Sequence, residues 1–117
     1  MKGTMLVIPV SGKPVATEYR MPVDLPALQK AVGGYLEVVP YFNEIFHGGQ
    51  WRRCVAFADE DGKRKQLPYN GVAHICWDEA LRRRPRAKGQ PPPTSAPDYL
   101  VGPVVVLFGD DEWMAEL

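Results

Sequence analysis

The segment Asp98 to Gly109, DYLVGPVVVLFG, constrains the fold more than any other part of the chain. Successive β-branched residues favour an extended backbone, because their crowded side chains suit a pleated surface better than a helix. Gly102 and Pro103 at its start predict a bulge or bend, as in a curved sheet. Such a strand needs partners, and the earlier sequence supplies them. TMLVIPV, Thr4 to Val10, and VATEYRM, Val15 to Met21, read as a hairpin turned at SGKP, with Pro9 at a strand end or edge because it lacks an amide donor. WRRCVAFA, Trp51 to Ala58, reads as a further strand in which Cys54, Ala56 and Ala58 oppose Val55 and Phe57. NEIFHGGQ before it reads as a loop or ragged turn. Gly62 in DEDGK predicts a turn, with Arg64 to Leu67 returning as a short second arm.

Helical punctuation occurs twice. In VDLPALQKAVGG, Asp24 can cap the free amides, Pro26 is tolerated in a first turn, Leu25, Leu28 and Val32 share a face, and Gly33 can terminate. In PYNGVAHICWDEALRRRP, Asn70 can cap, and Asp78 and Glu79 stand one turn before Arg82 and Arg83. VAHICW also alternates as a strand would, so residues 72–82 fit both states, and the caps favour helix. Residues 84–97 are rich in proline and arginine and poor in apolar side chains, which predicts an extended or mobile loop. The tail DDEWMAEL is expected to make a last helical turn docked through Trp113 and Leu117.

In the run VGGYLEVVPYF, Val32 to Phe42, the part after Gly34, YLEVVPYF, reads as a strand with Tyr35, Glu37 and Val39 on one face, which places a carboxylate, Glu37, among apolar neighbours. Buried alone, it would cost several kcal/mol or take up a proton. It must face solvent, meet a cation such as Arg52, Arg53 or Lys65 across the ladder, or serve a binding surface. Tyr35, Asn70, Gly33 and Gly34 are the candidate companions of Glu37 in such a ligand or partner site, since a few polar groups among aromatics commonly orient a ligand.

At 117 residues the chain fits a single domain, and 45% hydrophobic with 24% charged residues suits a folded globular protein. Fourteen basic residues balance fourteen acidic ones, so no global field recruits nucleic acid or an anionic membrane. No apolar run approaches the roughly 20 residues of a transmembrane helix. The N-terminal stretch lacks a signal-peptide pattern, so a cytoplasmic protein without a membrane partner is expected, with reduced Cys54 and Cys76. His47, Cys54, His74 and Cys76 are metal-ligand types at the wrong spacing, and no catalytic set converges. The expectation is therefore no metal, no cofactor and no catalytic residue. The basic stretch Arg82, Arg83, Arg84, Arg86 and Lys88 is a candidate nucleic-acid contact, set against the plainer reading of a solvated helix end.

The pattern Leu28–Gln29, Gly33–Gly34, Glu37, Asp61–Gly62, Leu67–Pro68, Asn70 and Val101–Gly102 resembles that of a family from phages, mobile elements and bacteria, domain of unknown function 3846. The resemblance carries no activity. It implies an accessory protein of a phage or integrated element. Together these readings predict an α+β fold: a curved, mostly antiparallel sheet, as an open sheet or a partly closed barrel, with one or two packed helices. They predict a non-enzymatic binding or modulator protein acting on a host protein or defence component. The alternatives are capture of a nucleotide-like ligand near Glu37 and Asn70, and nucleic-acid binding through residues 82–88. Homo-oligomer formation is left open.

Overall fold

A computed structural model describes residues 2–84, 88–89 and 98–117. Strands β1 (Lys2–Ile8) and β2 (Val15–Arg20) form the expected hairpin, with Leu6 opposite Ala16. Helix α1 (Leu25–Val32) starts where Asp24 accepts a bond from the Ala27 amide at 3.1 Å, and ends at Gly33. Strands β3 (Leu36–Val38), β4 (Glu44–His47) and β5 (Gln50–Asp59) follow, then α2 (Gly71–Arg83), β6 (Val104–Phe108) and α3 (Asp111–Met114).

The strand order is β2-β1-β6-β5-β3, with β4 also on β5, and every pairing is antiparallel. The six-stranded sheet is open: β2 and β3 stand at opposite ends of that order, so the described strands close no barrel. The β6 strand lies between β1 and β5, and all five of its residues are buried. That explains its unbroken apolar sequence, because a strand covered on both faces has no solvent side on which to place polar residues.

Two cores flank the sheet. On one face Ala73, Trp77, Ala80 and Leu81 of α2 pack with Leu6, Ile8, Val104, Val106 and Phe108. The small Cys54, Ala56 and Ala58 of β5 belong to this core and leave room for Trp77. On the other face Leu28 and Val32 of α1 and Trp113 of α3 pack with Tyr19, Val105 and Leu107.

The second core shows why α1 is a helix despite its short length: its apolar stripe is completed by the sheet rather than by propensity. Residues 72–82 resolve as helix. The completely buried Asn70 accepts from the Ala73 amide at 3.0 Å, while its own amide group donates to the carbonyls of Ile8 and Gly102, both at 2.9 Å.

Four local expectations change. The strand around Glu37 stops at Val38, because Pro40 offers no donor and Tyr41 turns with φ of 66°. NEIFHGGQ is not a loop or ragged turn throughout: Glu44–His47 is strand β4, and Gly48 and Gly49, with φ of 63° and 82°, make the tight turn that joins it to β5. Arg64 to Leu67 does not return as a strand, since its amides are satisfied locally, Lys65 by the Asp61 carbonyl and Leu67 by that of Gly62. In the tail, Trp113 docks as expected but Leu117 stays 41% exposed. Of the predicted loop 84–97, Arg84, Lys88 and Gly89 are described, and the rest lies outside the described residues.

Asn70→Ala removes a helix cap and strands two buried carbonyls, so unfolding free energy is expected to fall by at least about 3 kcal/mol in urea titrations. Asn70→Asp keeps the cap acceptor but sets a carboxylate against the same carbonyls. It should be no more stable than Asn70→Ala.

Candidate functional site

Glu37 stands opposite Ala58 in the β3–β5 ladder. A methyl group offers no cross-strand partner and leaves space beside the strand, where a cleft of about 230 Å³ opens between β3, α2 and residues 98–101. Its floor is apolar, formed by Val39, Trp77, Leu100 and Val101. The Trp77 indole is fixed by donating to the Pro40 carbonyl at 2.8 Å. Its rim is charged: Glu37, Glu60, Lys63 and Asp98, with Tyr99 beside them.

Lys63 pairs with Asp98 and lies 4.5 Å from the centre of the Tyr99 ring. That lysine, helped by the Tyr99 amide, holds the Asp98 carboxyl below the usual carboxylate range. Glu37 is exposed and has no ion pair among the described residues. Of its candidate partners, Lys65 binds Asp59, while Arg52 and Arg53 lie opposite Ile45 and Glu44.

The predicted companions of Glu37 are dispersed. Tyr35 is 67% exposed next to β3, outside the cleft lining. Asn70 is buried, and its amide group and carbonyl oxygen are bonded to the backbone, so it holds the fold rather than a cleft wall. Gly33 caps α1 with φ of 91°.

Gly34 is required by a side chain that the sequence reading missed. A Cβ there would come within 2.6 Å of the Asp59 carboxylate. Asp59 is the buried acid of this region, bonded to Lys65 at 2.7 Å and to the Asp61 amide at 2.9 Å. Lys63, Trp77, Asp98 and Tyr99 of the cleft were also missed. They are distant in sequence, and no local spacing announces them.

Among the candidate nucleic-acid residues, Arg82 and Arg83 end α2, Arg84 is its C-cap, Lys88 is exposed, and Arg86 lies outside the described residues. Arg83 pairs with Glu44 of β4 and lies 4.1 Å from the centre of the Trp51 ring. Arg84 lies 3.9 Å from that of Tyr41.

His47 packs against Phe108, and His74 lies between Tyr69 and Trp77 with Asp78 at 3.5 Å. Among the described residues, no three His, Cys, Asp or Glu side chains group closely enough to hold a metal. Both cysteines are free. Burial, with Glu44 and Cys76 adding to it, pushes the Cys54 thiol up to about 12, and burial also raises that of Cys76. Thiols shifted in that direction hold little thiolate, the nucleophilic form, near neutral pH. Among the described residues, no helix is long and apolar enough to cross a membrane.

The model of the family described as domain of unknown function (DUF3846) matches residues 1–116, and the chain belongs to that family. No curated protein and no solved structure matches it.

Burial alone would raise the Asp59 carboxyl, but its bonds from Lys65 and the Asp61 amide outweigh this and hold it below its ordinary value. A folded-state value below the unfolded one of about 4 stabilises the protein at higher pH. That contribution disappears as pH falls through the folded value. Lys65→Met should therefore cost about 1–2 kcal/mol at pH 7, the half-exposed lysine moderating the loss. The difference from wild type should shrink in urea titrations carried below about pH 4.

Proposed function

We propose that this DUF3846 member is a non-enzymatic binding protein that holds a cationic side chain of a partner protein in the cleft beneath Glu37. One observation carries the reading: Glu37, without an ion pair among the described residues, stands over an apolar floor and beside Tyr99. A lysine or arginine entering there would lay its methylene stem along Val39 and Leu100 and its charge against Glu37 and Glu60. Val38 of the short edge strand and Tyr35 just before it, both mostly exposed, extend the contact surface. The partner in this reading is a host protein or defence component met by a phage or mobile-element protein.

Capture of a nucleotide-like ligand is the weaker reading. The carboxylates of Glu37 and Glu60 repel phosphate, and Asn70, its expected companion, is already committed to the backbone.

The test is an amide-shift NMR titration with a short lysine- and arginine-containing peptide and an acidic counterpart. The amides of residues 37–39 and 98–101 should shift with the basic peptide alone. Glu37→Gln should weaken binding about tenfold, the loss of one charge-assisted hydrogen bond. Equal shifts with a peptide of acetylated lysines and citrullines, or none with the basic one, would reject the reading.

A further inference from the structure

The C-terminal end of α2 meets the β4–β5 hairpin on a surface distinct from the cleft. Two guanidinium groups lie over two rings there, Arg83 over Trp51 at 4.1 Å and Arg84 over Tyr41 at 3.9 Å. The arrangement is built from separate elements. Trp51 is the second residue of β5, Phe46 stands opposite it in the ladder with ring centres 5.5 Å apart, and Tyr41 sits in the turn after β3.

Glu44 fixes Arg83 from β4, so that stack is anchored. Two rings remain accessible, Phe46 at 55% and Tyr41 at 46% exposure. Arg53, Arg82 and Arg84 have no ion pair among the described residues. The chain is neutral as a whole, so a local excess of positive charge here is balanced elsewhere, in part at the acidic rim around Glu37.

A helix C-terminus attracts arginines simply to meet its partial negative charge. That accounts for their position in sequence but not for the aromatic rings gathered beneath them. Nor does an acidic protein partner explain the stacks, since a carboxylate meets a guanidinium at its edge and makes no use of its face. A guanidinium lying on a ring keeps its second face free for another planar group, and exposed bases are such groups. Duplex bases are already stacked on each other. Single strands present both the faces and the phosphates that Arg53 and Arg82 would meet.

We infer that the α2 C-terminus and the β4–β5 hairpin form an interface for single-stranded nucleic acid. Bases stack on Phe46 and on the Arg84–Tyr41 and Arg83–Trp51 pairs, while the neighbouring arginines hold phosphates.

The test is fluorescence anisotropy of the full chain with a labelled single-stranded oligonucleotide of about 12 nucleotides, as DNA and as RNA, within the site sizes of such platforms. Binding should weaken at least about tenfold between about 50 and 200 mM salt, and a duplex of the same length should bind more weakly. Phe46→Ala, at an exposed position, should cost about fivefold or more with the melting temperature unchanged.

Arg84→Lys is the decisive variant, because it keeps the charge and removes the planar face. It should weaken binding severalfold, and Arg82→Glu should weaken it further while flattening the salt dependence. The inference is overturned if neither oligonucleotide binds at low salt or if the duplex binds equally well. It is also overturned if Phe46→Ala and Arg84→Lys are both neutral, which would mean charge alone acts, or if polyglutamate competes as well as the oligonucleotide, which would mean an acidic protein is the occupant.

Discussion

The buried carboxamide of Asn70 joins three parts of the chain that are far apart in sequence: the end of β1 through Ile8, the approach to β6 through Gly102, and the first turn of α2 through Ala73. Each bond satisfies a backbone group that water cannot reach, and an unmet partner there is costly. The side chain therefore sets where α2 begins and at what height it crosses the sheet. The position of Trp77 follows from that, and with it the floor of the cleft. Geometry at the rim thus depends on an amide that does not line the cleft.

The same economy of small residues recurs on both faces of the sheet. Cys54, Ala56 and Ala58 leave depth for Trp77 on one side, and Gly34 leaves room for the Asp59 carboxylate near the other. Ala58 acts twice, since its lack of reach also leaves Glu37 without a cross-strand partner. The run that carries Glu37 is consequently less paradoxical than it looks. Its acid faces outward, and the acid that is buried, Asp59, comes with a lysine and a backbone amide to hold it.

Much of the fold was legible because its signals are local. The Asp24 cap and Gly33 stop bounded α1, the alternation of β1 and β2 gave their hairpin, and Asn70 with the terminal arginines tipped residues 72–82 toward helix. What escaped was either a misjudged turn or a matter of tertiary arrangement. Gly48–Gly49 is a hairpin signal in its own right, overlooked because EIFH carries only weak alternation. Arg64 to Leu67 looked strand-like only under the assumption that a glycine turn must lead back into the sheet. Of the candidate site, Glu37 reached the cleft, whereas Trp77, Tyr99 and Lys63 arrive from α2 and two loops, and no spacing in one sequence encodes that meeting.

Charge is segregated although the total is zero, with carboxylates around the cleft and guanidiniums where α2 meets the β4–β5 hairpin. The two surfaces share β5, which contacts β3 at one end and β4 at the other.

That sheet has an unusual temporal property. Its middle strand, β6, is the last of the described strands, and among them it alone pairs with both the β1–β2 hairpin and β5. As the polypeptide emerges from the ribosome, the β1–β2 hairpin and the strands paired with β5 can form locally, but their ladders are not joined until Val104 to Phe108 slots between them. Assembly of the sheet therefore waits for synthesis of Val104 to Phe108, and a nascent chain stalled before Val104 would present two exposed β-edges, on β1 and on β5, for aberrant pairing.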